Sequence, residues 1–368
     1  MEVDWAMPEQ LEGRSLKLPA PGVLLALLSA ILFGASTPLA KLVLGNGVNP
    51  WLLAGLLYLG SGFGLALVHG VRRLAGHAEA EAPLVRADLP WVALVILCGG
   101  AIAPVLFMAG LATTPASTAS LLLNLEGLAT LAIAWLVFRE NVDRRLLIGA
   151  ATILCGAVLL SWRGGPEGGG LGMLAIAGAC LAWGIDNNLT RKLSSADPVQ
   201  IAMLKGLAAG TVNLVLALAL GASLPALPVV AGAALIGFLG YGVSLVMFVL
   251  ALRHLGTARS GAYFSTAPFI GAVLAVVMFG EPVTTPLIIA GILMAIGLWL
   301  HLTESHSHDH EHEALEHEHR HVHDSHHQHE HPPGISPSEP HSHWHRLTPM
   351  VHRHAHFPDL HHRHGHPD

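Results

Sequence analysis

The chain has 368 residues, 52% of them hydrophobic and only 12% charged, with a formal net charge of −6. So little charge excludes an ordinary soluble domain and a basic nucleic-acid binder. Three cysteines in such a length exclude a disulfide-built scaffold.

In chain order, residues 1–21 form an acidic segment that does not read as a secretory signal, because the apolar run after it is long enough to be retained as a span. Ten apolar runs follow, at about 23–43, 50–70, 89–111, 115–138, 145–162, 171–191, 198–220, 228–252, 259–279 and 284–302. Each has the length a helix needs to cross a bilayer. The connections carry turn residues, as in Gly45-Asn46-Gly47 and Gly164-Gly165-Pro166. The predicted fold class is an all-α polytopic membrane protein. Cys98, Cys155 and Cys180 fall within spans and read as small buried hydrophobes with no disulfide.

Basic residues set the expected orientation. Arg14, Lys17, Arg72, Arg73, Arg86, Arg139, Arg144, Arg145, Arg191, Lys192, Arg253 and Arg259 all fall on one side of ten helices, against Lys41 and Arg163 on the other. Both termini are therefore expected on the cytoplasmic side.

The sequence repeats itself. A shift of 150 pairs Phe33-Gly34 with Trp183-Gly184, and brings Lys41 to Arg191. Asn49-Pro50 opens the second run as Asp197-Pro198 opens the seventh, and a shift of 141 pairs Phe138-Arg139-Glu140 with Phe279-Gly280-Glu281. The expected units are 22–162 and 171–302, five helices each. Five is odd, so the second unit enters the membrane from the opposite side, giving two inverted repeats with a site between them near the midplane.

The segments TPASTASLLLNLEGLATLAIAWLVFREN (114–141) and GTARSGAYFSTAPFIGAVLAVVMFGEP (256–282), each followed by a Gly-bearing apolar helix, resemble the EamA domains of the drug/metabolite transporter superfamily. The resemblance covers about 22–302 and recurs twice. It implies a ten-helix carrier in the cytoplasmic (inner) membrane of a prokaryote, for amino acids, other metabolites or drugs, often an exporter. Two positions depart from the family pattern: Glu126 is followed by Gly127 where the family has proline, and Leu57 or Tyr58 stands where an arginine is common. Lys205 is the equivalent in the second unit.

Polar groups inside lipid each need a reason, since an ionised one costs about 2.5–3.5 kcal/mol on insertion scales. Glu126, Asp186 and Lys205 are the charged candidates for the substrate or ion pathway. Around them Asn124, Asn187, Asn188 and Asn213 are amide candidates, with Trp183, Tyr263 and Ser265 as cavity walls. In the functional reading one carboxylate takes up a proton as the cavity changes sides, while Lys205 or an asparagine contacts substrate. In the structural reading Lys205 and a carboxylate form an ion pair pinning the repeats together, and the asparagines bond helix to helix. Pro38, Pro104 and Pro268 are candidate kinks. The Gly60, Gly62, Gly64 series reads as close packing, and Glu140 and Glu281 as helix-end caps. No metalloprotease, intramembrane serine protease or phosphate-loop motif is present, so the chain does not read as an enzyme.

Residues 303–368 differ in kind. From Glu304 onward lie 22 of the 26 histidines, many alternating: His306, His308, His310, His312, His317, His319, His321 and His323. A second series comprises His341, His343, His345, His352, His354 and His356, followed by His361, His362, His364 and His366. Imidazole is the commonest ligand for zinc, nickel, cobalt and copper near neutral pH, so this tail is the candidate metal binder. Few aliphatic residues and Pro332, Pro333, Pro337 and Pro340 predict a disordered tail without metal. No cofactor is required by this reading. The expected partners are the lipid bilayer, a small-molecule substrate and metal ions at the tail, with no nucleic acid, for a monomer or homodimer. The expected function is secondary transport of an amino acid-like or other small organic solute by alternating access, outward, with a metal-sensing or buffering tail. The alternative is export of divalent metal or metal-ligand complexes collected by that tail.

Overall fold

The computed structural model describes residues 21–74, 88–138, 142, 144–162, 169–190, 197–255, 257–302, 306–312, 315–321, 341–347 and 350–356. Ten helices long and apolar enough to cross a membrane carry the chain: α1 Gly22–Gly45, α2 Pro50–Leu74, α3 Leu89–Thr113, α4 Ala116–Leu136 and α5 Arg144–Ser161, then α6 Gly170–Thr190, α7 Val199–Ala219, α8 Leu227–Ala251, α9 Ser260–Phe279 and α10 Thr285–Leu302. Lipid offers no partner for a backbone N–H or C=O, so helices that satisfy their own are the form these apolar runs take. Two helices begin alike. The Asn49 side chain accepts from Trp51 N (2.9 Å) ahead of Pro50, and that of Asp197 from Val199 N (2.8 Å) ahead of Pro198, each using proline where its missing N–H costs nothing.

The packing is reciprocal. Helix α1 lies against α8 and α9, and α6 lies against α3 and α4. The second helices α2 and α7 pair with each other, as do the fifth helices α5 and α10. Small residues let these pairs approach. A Cβ on Gly62 would fall 2.5 Å from Leu207 N, and one on Gly210 2.6 Å from Leu59 N. At the other pair, a Cβ on Gly149 would fall 2.8 Å from the Gly297 carbonyl. Gly60 is similarly closed against Ala234 and Gly64 against the Phe238 ring, so the predicted packing role of this series holds. Large apolar side chains such as Phe63, Leu67, Val277 and Trp299 face outward, as a lipid-covered surface requires.

Four helices are irregular, in corresponding pairs. Helix α3 contains a π-helical segment at Ile96–Ile102, and α8 one at Phe238–Val243. Helix α4 is interrupted at Leu123, and α9 at Ser265-Thr266, just before Pro268. Such π segments and breaks leave carbonyls unpaired within their own helix, and in membrane proteins they are tolerated only where protein or a cavity covers them. Pro38, by contrast, sits inside the otherwise continuous α1. All three cysteines are free.

Beyond α10 the described backbone forms four strands: β1 His306–His312, β2 Leu315–His321, β3 His341–Leu347 and β4 Met350–His356. β1 pairs antiparallel with β4, and β2 with β3. Composition predicts no core here; alternation at every second residue is itself the period of a strand.

Candidate functional site

Helices α2, α6 and α7 meet at the π segment of α3. Without a side chain, Gly99 leaves room that the Asp186 carboxylate fills: a Cβ there would fall 2.1 Å from Asp186 Oδ2. At Gly100 a Cβ would fall 2.6 Å from Ala209 Cβ and 3.2 Å from Lys205 Cγ. Into this recess Asp186 of α6, 4% exposed, receives the Lys205 ammonium of α7 in a hydrogen-bonded ion pair. The charges are thus drawn from two helices and housed by a third.

The π segment also supplies acceptors. The Gly99 carbonyl accepts from the Tyr58 hydroxyl (2.8 Å) and from Trp183 Nε1 (3.1 Å). Asn213 Nδ2 donates to the Gly100 carbonyl (3.2 Å). Helices α2, α6 and α7 are therefore all tied to one short stretch of α3. Glu126 stands beside this centre, three residues past the break in α4. Its Oε1 accepts from Asn187 Nδ2 (3.0 Å), which also reaches the Thr130 hydroxyl (3.2 Å). The next residue turns the other way: Asn188 Nδ2 donates to the carbonyls of Thr130 (3.0 Å) and Gly184 (2.9 Å).

Of the residues expected from sequence, Asp186, Lys205, Glu126, Asn187, Asn188, Asn213 and Trp183 therefore converge. Three do not join them. Asn124 donates to the Leu121 carbonyl (2.8 Å) and faces Met294 of α10, closing the gap at the helix break. Ser265 donates to its own helix at Gly261 (2.7 Å), and no hydrogen bond links it or Tyr263 to the ion pair among the described residues. Tyr58, Thr130, Gly99 and Gly100 belong to the site and were not singled out for it; a Gly-Gly step in mid-span was the available signal.

The corresponding recess in the other half is built differently. A Cβ on Gly240, in the α8 π segment, would fall 2.7 Å from Ser36 Cβ. Around it lie rings: Phe33 and Tyr241 with centroids 5.9 Å apart, Tyr58 and Tyr241 at 5.8 Å, Phe33 and Phe264 at 5.3 Å.

A second polar arrangement lies at the end of the bundle where α3 meets α4. Lys41 Nζ donates to the carbonyls of Leu111 (2.6 Å), Ala112 (3.0 Å) and Thr114 (3.0 Å), satisfying the last turn of α3 with the charge its dipole favours. The Glu281 carboxylate, just past α9, accepts from Ala116 N (2.7 Å), Ser117 N (2.9 Å) and the Ser117 hydroxyl, capping α4. Glu281 is thus a cap, as expected; Glu140 and Arg191 lie outside the described residues, as do His323, His361, His362, His364 and His366.

Comparison with known proteins follows this geometry. The signature of the EamA-like transporter family matches twice, over residues 20–162 and 170–303. An uncharacterized transporter of Methanothermobacter thermautotrophicus is 29% identical over 296 residues, covering 76% of this chain and 85% of its own. The uncharacterized inner membrane transporter YedA of Escherichia coli K12 is 24% identical over 271 residues, covering 72% and 84%. A solved crystal structure shares the fold with a TM-score of 0.55 at 20% identity, across 77% of this chain and 96% of its own.

Proposed function

The chain belongs to the EamA-like transporter family, and from that premise we propose that it carries a small organic solute, amino acid-like or otherwise, outward across the cytoplasmic membrane. The observation that carries this reading is the Asp186–Lys205 pair with Glu126 beside it, held between the two five-helix halves by the π segment of α3. A site offering ammonium, carboxylate and amide groups together suits a solute bearing both donors and acceptors. The reciprocal packing of α1 on α8–α9 and α6 on α3–α4 is what two inverted repeats produce, and rocking one half against the other exposes such a site to each side in turn. In this scheme Glu126, whose carboxylate meets only the Asn187 amide among the described side chains, takes up and releases the coupling proton. Lys205 leaves Asp186 for the solute's own anionic group.

The histidine tail favours a second reading, in which divalent metal or its chelate is cargo. Uptake into inside-out vesicles separates the two. Labelled amino acids and zinc, nickel and cobalt would be offered to the intact chain, to one ending at Thr303, and to Glu126→Gln. Organic-solute uptake that collapses with Glu126→Gln and survives tail removal supports the proposal. Metal uptake that collapses with Glu126→Gln and weakens without the tail replaces it with metal export.

A further inference from the structure

The strand register of the tail aligns histidine with histidine. In the first ladder His306 stands opposite His356, His308 opposite His354, and His310 opposite His352. In the second His317 stands opposite His345, His319 opposite His343, and His321 opposite His341. Residues between them alternate to the other face of each ladder, and there each ladder has one pair of opposite charges: Asp309 with Arg353 and Glu316 with Arg346. Histidine alternation alone fits any register shifted by two residues. Opposite charges directly across a ladder stabilise it, and the Asp-Arg and Glu-Arg pairs do so in the register adopted.

We propose that the tail is a metal-templated hairpin: two in-register ladders, each presenting three cross-strand histidine pairs on one face as a site for zinc or a similar divalent transition metal. The proposal deepens the reading of the tail as a metal binder and rests on it. Opposite residues on such a ladder have Cβ atoms about 4.5–5.5 Å apart, and the next pair on the same face lies about 6.5–7 Å along the strand. Two successive pairs thus bring four imidazoles to the scale of a tetrahedral ion with Zn–N bonds of about 2.0–2.1 Å. A two-stranded ribbon is marginal in water by itself, so binding free energy and strand pairing become one event. Each ladder then holds one four-histidine ion, and the terminal cluster His361, His362, His364 and His366 lies outside both.

Zinc titration calorimetry on the detergent-solubilised full chain, with hydrogen exchange of residues 306–321 and 341–356, tests this. Two variants remove the same number of histidines: His352→Ala/His354→Ala/His356→Ala strips one arm of the first ladder, and His361→Ala/His362→Ala/His364→Ala strips the terminal cluster. The proposal expects the first to lose one of about two tight zinc ions, with at least a tenfold loss of affinity there, and the second to keep both. Zinc should also slow amide exchange in all four strands together. Equal losses from both variants, or zinc binding without slowed exchange, overturns the hairpin while leaving the tail a metal binder. A full chain that binds no more zinc than one ending at Thr303 overturns the tail reading itself and the hairpin with it.

Discussion

The two π segments make the most instructive comparison in the molecule. Each sits in the third helix of its five-helix unit, and each opens a glycine-lined recess facing the first helix of the other unit. At Gly99 the recess is filled by Asp186 and its partner Lys205; at Gly240 it is filled by Ser36 beside the rings of Phe33 and Tyr241. Duplication has kept the backbone device and let the side chains part. One half holds charge and the other a hydroxyl and aromatic faces. The shared element is the irregular backbone, which leaves carbonyls such as that of Gly99 available to Tyr58 and Trp183.

The comparison breaks most severely at the ion pair. Lys205→Met leaves Asp186 buried without its counter-charge, a change worth about 3–5 kcal/mol for a buried pair. It should sharply lower the unfolding temperature in detergent, whereas Asp186→Asn/Lys205→Met, removing both charges, should recover most of the loss. If the double variant is no more stable than the single, the pair is not the reason Lys205 matters. The recess itself comes next. Gly99→Ala places a methyl against the Asp186 carboxylate and should cut transport by at least about tenfold (roughly 1.4 kcal/mol of barrier), while Ser36→Ala, which removes the hydroxyl from the recess of the other half, should change it by less than about twofold. Equal effects at the two positions would erase the asymmetry. Glu281→Gln, which weakens a charge-assisted cap, should cost about 1 kcal/mol in thermal unfolding. Smallest is Tyr58→Phe, which loses one hydrogen bond to the Gly99 carbonyl, about 1 kcal/mol or less, with Trp183 still donating there.

How much of this was legible beforehand follows from what each feature depends on. The ten spans were plain because length and apolarity alone decide them, and the helix starts at Pro50 and Pro198 were plain because cap and proline are adjacent in sequence. Asp186, Lys205 and Glu126 stood out because charge in lipid is costly wherever it lies. Their arrangement was not legible: that Lys205 meets Asp186 rather than Glu126 depends on how α6 and α7 rotate against α3. Asn124 carries the same amide as Asn213, and Ser265 a hydroxyl able to donate, yet beside a helix break each bonds a local carbonyl. Lys41 was visible only as a basic residue on the sparse side; its role as a cap for α3 lies 70 residues away in the chain. In the tail, composition predicts disorder, and the pairing of β1–β4 shows itself only when the two arms are set against each other.

Flux through the charge-free centre tests the central claim most directly. Asp186→Asn/Lys205→Met would be reconstituted beside the intact chain in inside-out vesicles, with its folded fraction checked by size-exclusion profile and thermal unfolding. Uptake of the labelled solute that the intact chain accumulates is then compared. We predict a folded protein with transport reduced at least about a hundredfold, a barrier change of roughly 2.7 kcal/mol. Transport that persists in a folded double variant would make the pair a pin between helices and place the solute's path elsewhere.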